Sequence, residues 1–218
     1  MDLDDISYYF QPRDSVDLSQ LQLTGASFYS ITPWREGNFI SRTILNFYGG
    51  RRPKLKSLLS EGPIVTDATA HVGGNTISFH LSGIHRVNAV EIDSSICEML
   101  KNNLRTYHFS TDHVYCQDYL KVYRNLVQDV VFLDPPWGGR EYLRQTKIEL
   151  CLSHVNLIEI CQTLLTEKRV SLIVLKLPIN YGIQQLVDQL STKTVLTHKI
   201  YRGSYPQSHH SYNVVFCW

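Results

Sequence analysis

From Pro63 onward, short runs of apolar and often β-branched residues alternate with segments of helical periodicity, and no other feature constrains the fold as strongly. This alternation is typical of a parallel sheet with helices on both faces, and nearly continuous apolar strands fit burial on both sides. The predicted strands are residues 63–69, 86–92, 113–117, 129–133, 170–175, 194–201 and 212–218, the fifth of them stopping before Pro178. The predicted helices are residues 75–82, 94–107, 148–165 and 183–190, with Ser94 as the N-cap of the second. Because no helix separates the last two strands, we expect an α/β fold whose seven-stranded, mostly parallel sheet ends in an antiparallel hairpin.

The first 60 residues differ in character, with many aromatic side chains between Tyr8 and Trp34. Thr32 and Pro33 fit an N-cap followed by proline at the first helical position. A helix over residues 34–47 is therefore predicted, although Gly37 weakens it. We interpret residues 1–60 as a lid or flank on the face of the site, followed by a main domain of residues 61–218. Simple packing at the edge of that domain is the alternative.

The formal net charge of +1 over 218 residues does not indicate a general nucleic-acid binder. Phosphate contacts would therefore depend on local clusters of lysine and arginine. The candidate clusters are residues 51–56 (RRPKLK) and the spaced set Arg140, Arg144 and Lys147. An ordinary solvated surface is the alternative for each cluster.

Five cysteines are scattered along the chain, without a Cys-x-x-Cys pair and without histidines at metal-ligand spacing. We therefore expect neither a metal site nor disulfide bonds, and we expect an intracellular, reducing compartment, either nuclear or cytoplasmic. The first residues lack the charged and apolar regions of a signal peptide. No apolar run approaches the roughly 18 residues that a membrane span requires, so no membrane partner is expected.

The segment from Asp67 to Thr76 (DATAHVGGNT) follows the first predicted strand and opens the first predicted helix. Glycines at such a turn let the backbone approach a ligand closely. An aspartate there can hold a cation such as the α-amino group of S-adenosylmethionine (AdoMet). The candidate cofactor residues of this segment are Asp67, Thr69, His71, Gly73, Gly74, Asn75 and Thr76. A purely structural strand–helix turn is the alternative.

Two further acidic residues follow the second and third predicted strands, at the strand ends where doubly wound sheets bind ligands. Glu91 can accept hydrogen bonds from both hydroxyls of a ribose, with Ile92 beside it. Asp118, which precedes Tyr119, can accept a hydrogen bond from an adenine amino group. A helix N-cap is the alternative role of Asp118.

The motif Asp134-Pro135-Pro136-Trp137-Gly138-Gly139 directly follows the fourth predicted strand. An aromatic amine is a poor nucleophile because its lone pair is delocalised into the ring, so a site that methylates it must align the amine and accept its hydrogens. Asp134 and the Pro135 carbonyl can act as acceptors, and the prolines stiffen the turn. Trp137 can stack on the target base, which is worth about 1–3 kcal/mol. A core tryptophan beside a capping aspartate is the alternative.

With these motifs the chain resembles the RNA cap guanine-N2 methyltransferases, the trimethylguanosine synthases, over about residues 29–180. The resemblance is carried by residues 28–33 (FYSITP), 67–76, 89–93 (AVEID), 101–103 (KNN), 116–120 (CQDYL), 129–139 (DVVFLDPPWGG) and 174–180 (VLKLPIN). It implies a Rossmann-like class I methyltransferase fold, with AdoMet as the cofactor and S-adenosylhomocysteine as the product. It implies that Asp67, Glu91 and Asp118 hold the cofactor.

The same resemblance implies that the substrate is RNA with a 7-methylguanosine (m7G) cap whose base stacks on Trp137. Because 7-methylguanine is cationic, Trp137 would add cation–π attraction and Asp134 would add charge complementarity. Further residues implied at the substrate are Ser30, Thr32, Pro33, Asn103, Lys176 and Asn180.

Three positions depart from the pattern of this family. Ala70-His71 stands where the family has a cysteine-glycine pair, and Asp134 stands where it has serine. Ile179 replaces a basic residue, and the cations that could substitute for it are Arg140, Arg144 and Lys176. Two alternatives therefore remain beside cap methylation: methylation of adenine N6 or another base amine on RNA or DNA, and a non-catalytic cap-binding or RNA-binding subunit.

Overall fold

A computed structural model of the chain describes residues 3–25, 27–51, 62–190, 195–200 and 211–218. The strands within these ranges are β1 Ile64–Asp67, β2 Arg86–Val90, β3 Val114–Tyr115, β4 Val130–Leu133, β5 Cys151–Leu152, β6 Val155–Asn156, β7 Leu172–Pro178, β8 Val195–Ile200 and β9 Tyr212–Cys217. The α-helices are α1 Leu3–Tyr9, α2 Ser27–Ser30, α3 Trp34–Arg51, α4 Gly74–Leu81, α5 Ser94–Thr106, α6 Tyr119–Val122, α7 Leu157–Thr166 and α8 Ile183–Gln189. Short 3₁₀ helices cover Leu18–Gln20, Tyr123–Asn125 and Gly139–Arg144.

Seven strands form one mixed sheet in the order β3-β2-β1-β4-β7-β9-β8. The pairs β1–β2, β2–β3 and β4–β7 are parallel, whereas β9 is antiparallel to both β7 and β8. This topology confirms the predicted α/β fold with an antiparallel terminal hairpin. Contacts within the chain divide it into two compact units, Met1–Tyr119 and Leu120–Trp218.

In the first unit, β1 and β2 are followed by turns that lead directly into α4 and α5. Gly73 is the N-cap of α4. The N-cap of α5 is Asp93, whose carboxylate accepts hydrogen bonds from the backbone N–H groups of Ser95 and Ile96. The prediction of Ser94 as the cap is therefore wrong by one residue. A carboxylate supplies two acceptor oxygens to the unsatisfied N–H groups of the first turn, and its charge suits the helix dipole.

The N-terminal segment contributes to the hydrophobic core of the first unit. Its buried apolar residues Ile6, Tyr9, Phe10, Leu21 and Ile31 lie in one cluster with Ala70, Val72, Ile77, Ala89, Leu100, Leu104 and Tyr107. The segment is therefore part of the packed structure of this unit. Its role as a lid or flank of the site stays a prediction.

In the second unit, β7 is longer than predicted and includes Pro178. All seven of its residues are buried, and Pro178 lies opposite Tyr212 in the register with β9. Proline lacks a backbone N–H, so it is tolerated where a strand ends. The prediction that the strand would stop before Pro178 is thus wrong, and the strand carries Lys176 in its interior.

The predicted helix over residues 148–165 begins only at Leu157. The residues before it form a small antiparallel hairpin, β5–β6, whose turn places Ser153 and His154 at positive φ. The Asn156 side chain accepts a hydrogen bond from the Ile158 N–H and so caps α7. The apolar residues between 148 and 152 alternate with a period of two, which is the pattern of a strand and differs from that of the helix that follows.

Cys97 and Cys116 form a disulfide bond, with their Cα atoms 5.6 Å apart. The expectation that the cysteines would not pair is therefore wrong for these two. Cys97 lies in the first turn of α5 and Cys116 directly follows β3, so the fold brings together two thiols that are 19 residues apart in sequence. The predicted compartment stays a prediction.

Among the residues described, no helix is both long and apolar enough to cross a membrane. The same residues include no group of three or more histidine, cysteine, aspartate or glutamate side chains that could hold a metal ion. The basic cluster at residues 51–56 lies outside the described residues except for the backbone of Arg51, and the loop between β8 and β9 lies outside them as well.

Phe10 tests whether the N-terminal segment stabilises the first unit. Its ring is 1% exposed and lies 6.5 Å from the Tyr107 ring, so Phe10→Ala should lower the free energy of unfolding by about 3–5 kcal/mol. The measurement is urea denaturation followed by circular dichroism. Phe39→Ala is the matched control, because Phe39 is 37% exposed and should lose less than about 1 kcal/mol. Equal losses in the two variants would contradict the packing described.

Candidate functional site

The glycine-rich turn after β1 follows a path that side chains would obstruct. Gly73 has φ +97°, and a Cβ at this position would lie 2.9 Å from Leu100 Cδ1. A Cβ at Gly74 would lie 2.7 Å from Ile31 Cγ2. His71 also has positive φ, at +48°, which is uncommon for a residue other than glycine. The turn is thus held in a specific conformation between α5 and the segment that precedes α3.

Asp67 ends β1 and is fully buried. Its Oδ2 accepts a hydrogen bond of 2.7 Å from the Thr76 hydroxyl in the first turn of α4. Two of the predicted cofactor residues are therefore in direct contact. A buried carboxylate must find donors, and this contact fixes the Asp67 side chain at the N-terminus of α4. Thr69 lies in the turn between them.

Glu91 directly follows β2, and its carboxylate is almost buried at 8% exposed. Its Oε2 accepts a hydrogen bond from the His71 N–H and its Oε1 one from the Asp93 N–H, each at 2.8 Å. Burial raises the pKa of Glu91, and these backbone N–H groups partly oppose that rise. A carboxylate has about four acceptor positions, so at least one remains beyond the backbone N–H groups of His71, Asp93 and Ile92.

The neighbours of these acidic residues differ strongly in exposure. Ile92 is 61% exposed, an unusual position for a large apolar side chain directly after a core strand. Asp118 is partly exposed and immediately precedes α6, whereas Tyr119, the first residue of α6, is 2% exposed. Ile92 and Asp118 can therefore be reached by a ligand, and Tyr119 belongs to the core.

Two buried polar oxygens lie near the glycine turn. Thr32 Oγ1 and Asn75 Oδ1 are buried and have no hydrogen-bond partner among the residues that the structure describes. Thr32 is fully buried, and its backbone oxygen would lie 3.7 Å from a Cβ at Gly74. Ser30 is exposed, and its hydroxyl donates to the Ser27 carbonyl at 3.4 Å, whereas Pro33 is buried. Thr32, a residue predicted at the substrate, therefore lies next to Gly74, a residue predicted at the cofactor.

Asn103 is fully buried and uses its amide to join three segments. Its Nδ2 donates to the carbonyls of Gln22 and Val72, each at 2.9 Å, and its Oδ1 accepts from the Gln22 N–H at 2.7 Å. The side chain therefore ties the N-terminal segment to the glycine turn. Its predicted proximity to the substrate base stays a prediction.

In the second unit, the end of β4 carries a nearly buried ion pair. Lys176 Nζ donates to Asp134 Oδ2 at 2.6 Å, and the two side chains are 4% and 13% exposed. The charge of Asp134 is therefore compensated inside the protein. Its predicted charge complementarity to a cationic base stays a prediction.

Trp137 is partly exposed and surrounded by aromatic rings and a cation. The Tyr142 ring is nearly perpendicular to the indole at a centroid distance of 5.3 Å, and the centroid of the Tyr212 ring lies 6.4 Å away. Lys176 Nζ lies over the indole ring, 5.2 Å from its centroid. Trp137 Nε1 is buried and has no hydrogen-bond partner within the described part of the chain. Trp137 is thus not fully buried, and its stacking on the substrate base stays a prediction beside the alternative of a core tryptophan.

Tyr142 and Tyr212 are neighbours of Trp137 that the sequence analysis did not predict. Tyr142 is held by Asn180, whose Nδ2 donates to the carbonyls of Tyr142 and Gln145 at 2.8 and 2.7 Å. Tyr212 reaches the site because β9 pairs with β7. No local motif marks either tyrosine, and only the predicted closing strand could have pointed to Tyr212.

The predicted basic residues are distributed unevenly. Arg144 is 80% exposed in its side chain and forms an ion pair of 3.0 Å with Glu141. Lys147 is exposed, whereas the side chain of Arg140 lies outside the described residues. Ile179, which stands at the family's basic position, is 49% exposed. Of the two such cations whose side chains the structure describes, Arg144 is exposed and Lys176 is buried.

Residues 63–213 match the profile of the RNA cap guanine-N2 methyltransferase family. An uncharacterized protein of Acanthamoeba polyphaga mimivirus is 33% identical over 135 residues, which cover 61% of this chain and 52% of that protein. The trimethylguanosine synthase of Schizosaccharomyces pombe is 31% identical over 131 residues, which cover 57% of this chain and 49% of that protein. The chain thus spans about half the length of the curated relatives that it matches.

Solved methyltransferase structures share the fold. The precorrin-6y C5,15-methyltransferase of Geobacter metallireducens aligns with a TM-score of 0.55 at 15% identity, covering 94% of this chain and 96% of that one. The tRNA (uracil-54, C5)-methyltransferase of Pyrococcus abyssi, in complex with S-adenosyl-L-homocysteine, aligns with a TM-score of 0.50 at 18% identity, covering 86% of this chain and 39% of that one. These likenesses establish a Rossmann-like methyltransferase fold. Because the family profile matches more than half of the residues, the chain belongs to the RNA cap guanine-N2 methyltransferase family.

Proposed function

We propose that this protein transfers a methyl group from AdoMet to the exocyclic N2 amine of a 7-methylguanosine cap on RNA. The observation that carries the proposal is the partly exposed Trp137 of the DPPWGG motif, which lies beside Asp134 at the end of β4 in a chain of the cap methyltransferase family. The trimethylguanosine synthase of Schizosaccharomyces pombe, which is 31% identical, supports the same substrate.

AdoMet is the cofactor, and the residues of the first unit fit it. We assign Glu91 to the ribose hydroxyls, because its carboxylate has about four acceptor positions and the neighbouring backbone N–H groups do not use all of them. Ile92 offers an exposed apolar surface for the adenine ring, and Asp118 an acceptor for its amino group. The glycine turn from Gly73 brings backbone N–H groups to a helix N-terminus, where a carboxylate is stabilised. We assign Asp67 to the α-amino group on the basis of its charge.

The residues of the second unit suit the acceptor base. Trp137 supplies a flat ring, and its edge contact with Tyr142 fixes the orientation of that ring. Asp134 can accept a hydrogen bond from the target amine, as can the Pro135 carbonyl. When bound, AdoMet would supply the methyl group of its sulfonium and leave as S-adenosylhomocysteine, and the methylated amine would release one proton to solvent. Most of the rate then comes from alignment, because no covalent enzyme intermediate is needed.

Methylation of adenine N6 is the second candidate, and the Asp134–Lys176 pair is the observation that favours it. A compensated pair of charges beside Trp137 gives less electrostatic preference for a cationic base than a lone carboxylate would. The electrostatic cost of binding a neutral adenine is therefore smaller here than it would be if Asp134 had no cationic partner.

A panel of acceptors distinguishes these functions. The protein is incubated with labelled AdoMet and with RNA that carries an m7G cap, an unmethylated G cap or internal adenines, followed by mass analysis of nucleosides. Label in N2-methylated 7-methylguanosine is the expected result. Label in N6-methyladenosine would replace the proposal with the adenine function, and binding without transfer of label to any acceptor would favour a non-catalytic subunit.

Glu91 tests the cofactor site. Glu91→Ala removes the acceptor of two ribose hydrogen bonds and should weaken AdoMet binding by about 1.5–3 kcal/mol, roughly 10- to 150-fold. The measurement is titration calorimetry on the folded variant. Glu98→Ala is the matched control, because Glu98 lies on the exposed side of α5 and is 65% exposed in its side chain. Unchanged affinity in Glu91→Ala would remove Glu91 from the cofactor site.

Trp137 tests the identity of the base. A cationic 7-methylguanine stacked on the indole should bind more tightly than guanine by about 1–2 kcal/mol, the scale of a desolvated cation–π contact. We expect m7G cap analogue to quench the fluorescence of Trp137 at lower concentration than the unmethylated analogue does. Trp137→Ala should abolish the difference and nearly all turnover, whereas Trp137→Phe should retain part of both.

The two other tryptophans provide the control for this experiment. Trp34→Phe and Trp218→Phe should leave the quenching in place, because the signal is assigned to Trp137. Equal affinity for the two analogues would contradict the cap proposal. Loss of folding in Trp137→Ala would instead indicate that the tryptophan is needed for the core.

A further inference from the structure

Lys176 occupies a position where a charge is costly. It lies in the interior of β7, a strand whose seven residues are all buried, and it faces Val214 in the register with β9. Its side chain is only 4% exposed. A charged group in such a place is retained only if it is paired and hydrogen-bonded.

The surroundings of the ammonium group supply that compensation. Asp134 accepts a short charge-assisted hydrogen bond of 2.6 Å from Nζ. The rings of Trp137 and Tyr212 each have their centroids 5.2 Å from the same nitrogen, within the range of cation–π attraction. Lys176 therefore contacts both side chains of the DPPW motif that the proposed reaction requires.

We propose that Lys176 is a positioning residue for methyl transfer: its ammonium group, packed against two aromatic rings, holds the Asp134 carboxylate in a fixed orientation at the end of β4. This inference rests on the proposed function only in that the acceptor is a base amine that Asp134 contacts. It replaces the expectation that Lys176 binds an RNA phosphate.

The geometry supports positioning over phosphate binding. A side chain that binds an RNA phosphate must be accessible from solvent, as the 80% exposed side chain of Arg144 is. The Lys176 ammonium group is instead enclosed and paired with Asp134. To contact a phosphate, Lys176 would have to break a buried ion pair and leave Asp134 without its cation, which is a costly change. Lys176 should therefore affect the catalytic step and leave RNA affinity almost unchanged.

The test uses Lys176→Met, Asp134→Asn and the double variant, with the wild-type protein and the acceptor of the panel that the wild type methylates fastest. Lys176→Met should lower kcat by about 10- to 100-fold, the loss expected from a misplaced reacting group, while KM for RNA and AdoMet affinity stay within about twofold. Asp134→Asn should lower kcat similarly, and adding Lys176→Met to it should cause no further loss, since Lys176 acts through Asp134.

Two additional variants keep the test decisive. Lys121→Met is the matched control at an exposed lysine of α6 and should behave as wild type. If Lys176→Met does not fold, the double variant still can, because it contains no unpaired buried charge, and its kcat is compared with that of Asp134→Asn alone. Lys176→Arg retains the cation and should recover part of the activity lost in Lys176→Met.

Three results would overturn the positioning role. These are independent, multiplicative losses in the double variant, a rise in KM for RNA with an altered salt dependence, and a lowered melting temperature with unchanged kcat. If the wild-type protein methylates adenine fastest, the cap proposal is refuted. The role of Lys176 is then tested with the same variants on the adenine acceptor. A wild-type protein that methylates none of the acceptors would refute both.

Discussion

Charge burial is the constraint on which the candidate residues of each unit depend. A carboxylate lies at the C-terminal end of each of three core strands, and each carboxylate has hydrogen-bond partners within its own unit. Asp67 has the Thr76 hydroxyl, Glu91 has two backbone N–H groups, and Asp134 has the Lys176 ammonium group. A buried carboxylate without such partners would cost several kcal/mol or would take up a proton. The turns and helix starts around the site are therefore fixed by the need to satisfy these charges, and a fixed carboxylate is also a well-oriented acceptor for a ligand.

The N-terminal segment has a structural role that its aromatic composition only partly indicated. Its apolar side chains enter the same core as the glycine turn, and Asn103 joins its backbone to that turn through hydrogen bonds to Gln22 and Val72. The segment and the turn thus share one packed region. Residues such as Thr32, which was predicted at the substrate, lie next to Gly74, which was predicted at the cofactor.

Local patterns in the sequence predicted the structural features that depend on residues close together in the chain. The strand–helix alternation predicted a mostly parallel sheet that ends in an antiparallel hairpin, and the acidic residues at strand ends were identified from their position alone. Contacts between distant residues were not predictable, because no local pattern records them: Lys176 is 42 residues from Asp134, and Asn103 is 81 residues from Gln22. The pairing of Cys97 with Cys116 required knowledge that α5 and β3 are adjacent. The start of α7 was predicted too early, because the apolar residues of the short hairpin before it are continuous in sequence with those of the helix.

The close approach of Gly74 to Ile31 has a consequence for how this sequence can vary. Any residue larger than glycine at 74 would place a carbon 2.7 Å from the γ-methyl branch of Ile31. A substitution at 74 therefore needs a side chain without that branch at 31, such as leucine or alanine. In related sequences, a residue larger than glycine at 74 should therefore occur together with a residue that lacks this branch at 31, although 43 residues separate the two positions along the chain.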